Sequence, residues 1–400
     1  MSIFVSLLGL AFLILVHEAG HFFVARGVRM NPRKFYLGFP PAIVKTKRNG
    51  IEYGVGAIPL GGYVKIPGMH RPAAGDLDVH FGRAVEEDPS LGRPVGELRR
   101  HLDESDYTGA TTALERVRAA LQDASVSPLA HRSAERGLAE IQDSLAPDAY
   151  WRAPTWKRVA VIFAGPAANL VLAVIIFAAL FMSLSGSYRL GFELRGTTDT
   201  ITATVNDVLA DSPAEAAGIK AGDKILTIDG KQVDGDSIRP TIQDSHGAPV
   251  TLTVERNGET VELQPVRPEK SEEFGVLGAI GESVRVTGDV TQEIGRSLGR
   301  LVTGDGSDVS SPVGIVQGSS EAVDQGTDTY LWVLGLISLS LALLNLLPLD
   351  GGHIAFSLIE GIRGRAVARE VYERVSVVGI AVVLLLFFIG LTNDIGRLGN

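Results

Sequence analysis

Long apolar runs alternate with polar stretches along the chain, and this pattern predicts the architecture. A helix needs roughly 20 apolar residues to cross about 30 Å of hydrocarbon. Four runs approach that length: Ile3–Ala25, which polar residues interrupt once, Val159–Leu184, Leu331–Leu349 and Val375–Leu391. We therefore expect a polytopic α-helical membrane protein with about four transmembrane helices. The predicted helices occupy residues 1–25, 156–184, 330–352 and 375–392.

The first run has an alternative interpretation as a cleavable signal peptide. Such a peptide has a basic n-region and ends at a small-residue cleavage site. The run shows neither feature, and residues 17–21 include two histidines and a glutamate that a disposable segment does not need. We interpret the run as a retained membrane helix.

Basic residues predict the orientation, because lysine and arginine near helix ends mark the cytoplasmic side. Seven basic residues and no acidic one lie within 26–48, and four arginines lie within 363–374. The loops at 26–158 and 352–374 are therefore predicted to be cytoplasmic, and the region 185–329 and both termini extracytoplasmic. The predicted location is the cell (inner or plasma) membrane, with several passes through the lipid bilayer.

A β-hairpin is predicted after the first membrane helix. Residues 50–68 alternate in polarity and contain two adjacent glycines, a pattern typical of strands and turns. Pro59 and Pro67 argue against a central strand and favour a sheet edge. We expect a membrane-associated cytoplasmic hairpin region over residues 26–68. It is either a small cap or an exposed strand that pairs with another chain.

Residues 69–150 form a polar insertion, predicted to be cytoplasmic. Two stretches show helical spacing of apolar residues: Leu114, Val117 and Leu121, then Leu138, Ile141 and Leu145. We expect a short helical hairpin there, and nothing in it indicates catalysis.

Residues 185–270 are predicted to form an extracytoplasmic α/β module. Its local signals are a helix N-terminus, a helix end and a two-residue hairpin turn: Ser212-Pro213, Gly218 and Asn257-Gly258. The run 213–230 resembles a PDZ domain of bacterial proteases, a fold that binds extended peptides and chain termini. A structural β-sandwich fragment is the alternative. Residues 271–329 then lead to the third membrane helix.

Composition narrows the chemistry. The chain has no cysteine, which excludes disulfides, thiolate zinc sites and iron–sulfur clusters. A metal ion must therefore be held by His, Asp or Glu. The formal net charge of −9 argues against nucleic acid as a partner, since no net positive field is available.

The first membrane helix contains His17-Glu18-Ala19-Gly20-His21, which is the pattern H-E-x-x-H. A spacing of four places both imidazoles on one helix face, where they can share a tetrahedral metal ion. Glu18 lies beside them and can take a proton from water. Ionisable side chains in an apolar span cost several kcal/mol unless they are paired or coordinated, so they indicate function. A purely structural zinc site is the alternative.

Two histidines leave zinc under-coordinated, and the end of the third run offers a further ligand. That segment reads Asn345-Leu346-Leu347-Pro348-Leu349-Asp350-Gly351-Gly352-His353. Pro348 interrupts the backbone hydrogen bonds and the glycine pair permits a sharp turn, so Asp350 is free to point inward. The predicted topology brings the cytoplasmic ends of the first and third helices to the same side. His353 is the competing candidate for the third ligand.

A site with two histidines and one aspartate leaves a fourth position for water, whose pKa zinc lowers to about 7. The predicted reaction is peptide-bond hydrolysis, in which zinc polarises the carbonyl. Glu18 activates the water and then protonates the leaving amine. Asn345 is either an interhelical hydrogen-bonding group or a donor to the substrate backbone or oxyanion.

As a set, these motifs resemble the site-2 protease family of intramembrane zinc metalloproteases, with a PDZ domain between them. Besides H-E-x-x-H and N-x-x-P-x-D-G-G, the matching segments are Gly61–Lys65, Phe163–Asn169 and Ser311–Ile315. The likeness covers most of the chain outside residues 69–150.

The resemblance implies zinc as the cofactor, with His17, His21 and Asp350 as ligands and Glu18 as the catalytic base. It also implies that Asn345 and Asn169 lie near the substrate. The resemblance also implies that the hairpin 54–66 pairs with the substrate as an edge strand, and the residues expected to contact the substrate are Gly54, Val55, Gly56, Ala57 and Ile58. Family substrates are single-span membrane proteins, often anti-sigma factors, which the PDZ domain screens for size or for a new terminus in regulated intramembrane proteolysis.

Two other classes of protein compete with the protease. A membrane receptor or scaffold would use the PDZ module to bind peptides and would hold the metal only for structure. A metal transporter would need polar groups on several spans, and the second and fourth runs are too apolar for that.

Overall fold

The computed structural model describes residues 1–197, 200–302, 311–346, 350–365, 367 and 369–398. The chain forms two compact units, one of residues 1–13, 169–344 and 381–400 and the other of residues 14–168 and 345–380.

The elements follow one another along the chain in three groups. The first group is α1 (Ser2–Gly27), β1 (Lys34–Arg48), β2 (Ile51–Lys65), α2 (Ala74–Glu87), α3 (Gly92–Asp103), α4 (Tyr107–Asp123) and α5 (Pro128–Leu145). The second is α6 (Thr155–Leu184), β3 (Tyr188–Arg189), β4 (Phe192–Thr197), β5 (Thr200–Val208), α7 (Pro213–Ala216), β6 (Lys224–Ile228), β7 (Lys231–Gln232), α8 (Gly235–Asp244), β8 (Leu252–Arg256), β9 (Glu259–Glu262) and β10 (Glu269–Lys270). The third is α9 (Val276–Val302), α10 (Pro312–Gln325), α11 (Thr327–Leu346), α12 (Asp350–Arg363) and α13 (Arg369–Leu398).

Four helices of the described chain are long and apolar enough to cross a membrane, as the sequence predicts. They are α1, α6, α11 and the part of α13 at Val377–Gly396. The third predicted span, 330–352, is divided: α11 ends at Leu346, and a separate helix, α12, begins at Asp350. Pro348, which we expect to interrupt the helix, lies outside the described residues.

Strands β1 and β2 form a sheet directly after α1. The turn between them is Asn49-Gly50, whose φ angles of 51° and 80° are both left-handed, as tight hairpin turns require. The prediction that residues 50–68 contain both strands of a hairpin is therefore wrong. Residues 51–65 are one strand, and it pairs with the preceding segment 34–48. The basic residues and prolines of 34–48 are not typical of a strand, so the sequence did not predict it.

The insertion holds four α-helices, α2 to α5, rather than the predicted hairpin of two. Their apolar faces meet in one core of leucine, alanine, valine and a phenylalanine, with Phe81, Leu98, Leu114 and Ile141 almost fully buried. Ser127 accepts a hydrogen bond from the Ala130 backbone N–H and so caps α5. The insertion thus has a hydrophobic core of its own.

The segment from β3 to β10 contains an antiparallel sheet in the order β4-β5-β6-β8-β9, with β7 paired to β6. The predicted helix start is confirmed, since the Ser212 side chain accepts from the Glu215 N–H and Pro213 opens α7. The predicted Asn257-Gly258 turn is also confirmed between β8 and β9, with φ angles of 54° and 82°. The core contains Val205, Ile225 and Leu252.

Candidate metal centre

The two histidines of α1 lie on the same face of the helix, one turn apart. Their Nε2 atoms are 3.2 Å from each other, and both residues are buried. This arrangement follows from the four-residue spacing. It directs two ligand atoms at one point.

Asp350 completes a group of three. Its Oδ2 lies 3.7 Å from His17 Nε2 and 3.6 Å from His21 Nε2, and the three ligand atoms all lie within 4.8 Å of one another. These distances are longer than a hydrogen bond. The Asp350 Oδ2 atom is buried and has no hydrogen-bond partner among the described residues. A buried carboxylate oxygen facing two imidazole nitrogens fits a divalent cation of the zinc type.

His353 does not join this group. Among the described residues the group consists of the two α1 histidines and Asp350. The His353 ring instead lies beside His70, with 6.2 Å between the ring centroids. Of the two candidates for the third ligand, the geometry supports Asp350.

The His21 ring is oriented from α6. Its Nδ1 is 2.8 Å from the Val161 carbonyl oxygen, so Nδ1 carries the proton and Nε2 keeps its lone pair for a metal ion. A Cβ at Gly165 would lie 2.2 Å from His21 Nε2, and a Cβ at Gly20 would lie 2.4 Å from the Ala164 carbonyl oxygen. Both glycines are needed for α1 and α6 to approach this closely.

The helix that carries Asp350 is fixed at its other end by buried polar contacts. The Arg158 guanidinium donates to the Glu360 carboxylate, and both side chains are almost buried. The Tyr150 hydroxyl lies 3.1 Å from the Ser357 hydroxyl, and both residues are buried. These contacts to the start of α6 and the segment before it set the position of α12. Sequence reasoning missed them, because their partners are about 200 residues apart.

Asn345 lies next to the first histidine. Its side-chain Nδ2 is 3.4 Å from His17 Nε2, at the limit of a hydrogen bond. The Asn345 amide therefore lies beside the three candidate metal ligands. This position is compatible with a donor to a reacting carbonyl, and also with a simple contact to His17.

Glu18 lies against the β1–β2 sheet. A Cβ at Gly62 would lie 2.7 Å from Glu18 Cγ and 3.3 Å from Glu18 Cδ. The end of β2 is therefore the strand segment beside the carboxylate. Gly62 needs to be glycine because a side chain there would displace Glu18.

The sheet register corrects the predicted edge strand. Gly54 pairs with both Tyr36 and Lys45, and Val55 pairs with both Leu37 and Val44. The start of the 54–58 segment is therefore flanked on both sides and does not offer a free edge.

Residues 62–65 pair only with 34–37, and within the described chain no further strand covers their other side. This segment, next to Glu18, is the open edge of the sheet.

Asn169 lies in α6 and belongs to the other compact unit. Its side chain is fully buried, and neither amide atom has a hydrogen-bond partner among the described residues. Its backbone carbonyl accepts a 2.8 Å hydrogen bond from the Ser338 hydroxyl. A buried amide without a hydrogen-bond partner lowers the stability of the fold.

Comparisons with known proteins show which family this chain matches. Residues 5–386 match the family described as peptidase family M50. Zinc metalloprotease Rip1 of Mycobacterium tuberculosis is 30% identical over 417 residues, covering 90% of this chain and 86% of that protein. Zinc metalloprotease RasP of Shouchella clausii is 28% identical, covering 96% of each. A solved structure of the HtrA-type protease AlgW with a decapeptide matches 22% of this chain with 27% identity and a TM-score of 0.20, which is too low to bear on the fold.

Proposed function

This chain belongs to peptidase family M50, a family of site-2 metalloproteases, and we propose that it is an intramembrane zinc endopeptidase. The observation that carries the proposal is the group formed by His17, His21 and Asp350, with Glu18 adjoining it. Relatives over nearly the whole chain are named zinc metalloproteases. A donor set of two nitrogens and one oxygen leaves a zinc position open for a reactant, as catalytic sites do.

When bound, zinc would polarise the scissile carbonyl and acidify a water molecule. The chain's own groups supply the remaining chemistry. Glu18 takes the proton from water and returns it to the leaving amine. The Val161 carbonyl holds the His21 tautomer, and the Asn345 amide donates to the oxygen on which negative charge develops.

The proposed substrates are single-span membrane proteins, such as anti-sigma factors, cleaved within their membrane segment. A helical substrate hides its amides in its own hydrogen bonds, so it must unwind before attack. We place the unwound strand along the open edge at residues 62–65, because that edge lies beside Glu18. This segment lies within the predicted 54–66 hairpin but beyond Gly54–Ile58, the residues expected to contact the substrate.

The α/β module at 185–270 is proposed to be an extracytoplasmic PDZ-like domain that binds peptide termini. Its sheet ends in strands β4 and β9, and strand addition at a sheet edge is how PDZ domains bind peptides. The basic loops support a cytoplasmic position for the metal centre and the insertion. The proposed location is the cell membrane.

The test is the Glu18→Gln variant, purified with its metal content measured. We expect zinc to remain bound and cleavage of a single-span test substrate to fall by about 10²–10⁴-fold, the usual contribution of a general base. Glu135→Gln, on the exposed face of α5, is the matched control and is expected to cleave normally. Undiminished cleavage by Glu18→Gln would refute the proposal. A peptide-binding scaffold would tolerate that change but not deletion of residues 200–267.

A further inference from the structure

A cavity of about 360 Å³ lies where the end of β2 meets the helical insertion. Its lining includes Ile66 and Ile141, which are buried, and Glu140, whose side chain is 58% exposed. The cavity therefore has apolar side chains at its base and a carboxylate at its mouth. Its volume is within the range of ligand sites in proteins.

The cavity continues the open edge of the sheet. The edge begins beside Glu18 at Gly62, and residues 63–66 line the cavity. Beyond them the edge is closed, because the carbonyls of Pro67 and Gly68 accept hydrogen bonds from the Tyr150 and Trp151 N–H groups. A chain paired along this edge must therefore leave it at the cavity.

Distance selects which part of such a chain reaches the cavity. Strands rise about 3.3 Å per residue, so Ile66 lies about 13 Å along the strand from Gly62. A bound strand with its scissile bond near Glu18 therefore brings a residue two to four positions away to the mouth of the cavity. Successive side chains point to opposite faces, so one side chain, not a run of them, enters.

The charges in the lining favour a cation. Three carboxylates and two cationic side chains line the cavity. One carboxylate, Asp143, already binds Arg33 and Lys65, and one cation, Arg71, lies over the Trp151 ring at 5.1 Å. The ion-pair partner of Glu140 is His80, at 3.1 Å. Within the part of the chain that the structure describes, Glu140 is thus a carboxylate at the mouth that pairs with a histidine and with no lysine or arginine.

We propose that this cavity is a substrate subsite for one lysine or arginine, two to four residues from the scissile bond. The inference rests on the proposed protease function and gives the insertion a role in specificity. Single-span membrane proteins carry lysine and arginine on the cytoplasmic side of their span. The long aliphatic stem of such a residue lies against Ile66 and Ile141 while its charged head reaches Glu140.

The first test uses full-length, zinc-loaded protein and pairs of substrates that differ only in lysine or leucine at one position. The pairs scan both sides of the scissile bond. We expect wild type to prefer lysine at one position by about threefold to fivefold in kcat/KM, the size of a partly exposed ion pair. The preference disappears in Glu140→Gln and reverses in favour of leucine in Glu140→Lys, because the introduced lysine repels a substrate lysine.

Glu135→Gln is the matched control. Glu135, like Glu140, lies on α5 and pairs with a histidine, in this case His131 at 3.8 Å. It should retain the wild-type ratio. Equal cleavage of both substrates by wild type at every position, or a ratio unchanged in Glu140→Gln, overturns the subsite and leaves the protease proposal standing. Cleavage of neither substrate overturns both.

A second test determines which substrate residue lies next to position 140 and does not depend on charge. The chain has no cysteine, so Glu140→Cys introduces a unique thiol, combined with Glu18→Gln to prevent turnover. With an added thiol oxidant, which takes up the two electrons that the thiols lose, we expect a disulfide with a substrate carrying one cysteine two to four residues from the scissile bond. Glu135→Cys is the control and should not cross-link to it. Equal cross-linking of both, or of neither, contradicts the assignment.

Discussion

The metal centre and the α/β module differ in how far along the chain their defining contacts reach. In the module, the Ser212 side chain accepts a hydrogen bond from the N–H of Glu215, three residues later, and Asn257-Gly258 joins adjacent strands. In the metal centre, His17 and Asp350 are more than 300 positions apart. The comparison teaches that a local unit tolerates loss of one contact, whereas a centre assembled from distant segments depends on each segment being held in place.

The largest expected effect is loss of a ligand. We expect His21→Ala and Asp350→Ala each to reduce zinc affinity by more than about 100-fold. Even the loss of a residue that only hydrogen-bonds to a ligand reduces metal affinity by about 10–100-fold. The measurement is metal content and competitive chelator titration of the purified protein. His353→Ala is the control and should keep stoichiometric zinc. Full zinc occupancy in Asp350→Ala would break the comparison, because the distant segment would then not be needed.

A second test asks whether α12 must be anchored far from the ligand it carries. Arg158→Gln leaves the Glu360 carboxylate buried and unpaired, at a cost of about 3–5 kcal/mol in stability. We expect zinc affinity to fall by about 10-fold, as for other outer-shell contacts.

The double variant Arg158→Met with Glu360→Met separates stability from positioning. Replacing a buried ion pair by apolar residues is often neutral for stability, so the protein should regain its unfolding temperature. If zinc affinity also returns fully, packing alone positions α12 and the ion pair has no specific role.

The α/β module offers a pH-dependent contrast. Asp223 is 1% exposed, and burial alone would raise its pKa, but hydrogen bonds from Arg256 and the Lys220 N–H lower the pKa below its ordinary value. A depressed pKa stabilises the folded state above the unfolded pKa of about 3.9, and this stabilisation is lost as pH falls through the folded value.

We therefore expect Asp223→Asn to destabilise the module by about 3 kcal/mol at pH 7. The difference in stability between variant and wild type should become smaller below about pH 4. Hydrogen exchange of the β6 and β8 amides in the full-length protein measures this. Zinc affinity should not change, because the pair lies outside the unit that holds the metal centre. A difference that stays constant from pH 7 to about pH 3 would contradict the assigned pairing.

The smallest effect is expected for a helix cap. Ser212→Ala removes the side-chain acceptor for the Glu215 N–H and should cost about 1 kcal/mol. Exchange of amides in and after α7 reports it, and Ser212→Asp, which retains an acceptor, should restore most of the protection. A loss of several kcal/mol would show that the module is less local than its contacts indicate.

Predictions from the sequence succeeded where neighbouring residues decide the outcome. The four apolar helices, the α7 cap and the Asn257-Gly258 turn all follow from short windows of sequence. Strand β1 was missed because its basic residues and prolines resemble a loop. Within the predicted 54–66 hairpin, residues 54–58 were expected to contact the substrate. Which residues lie at the edge depends on how β2 folds around β1, and no local sequence pattern determines that.

By itself, the sequence determined which segments are apolar enough to cross a membrane and placed His17 and His21 on one helix face, since helix periodicity and hydrophobicity are local properties. It also offered both Asp350 and His353 as the third ligand. Only the tertiary structure placed Asp350, rather than His353, beside the two imidazoles, and it brought Glu18 to the end of β2. The reason is that the packing of α1 on α6 and the anchoring of α12 depend on contacts between residues far apart in the chain.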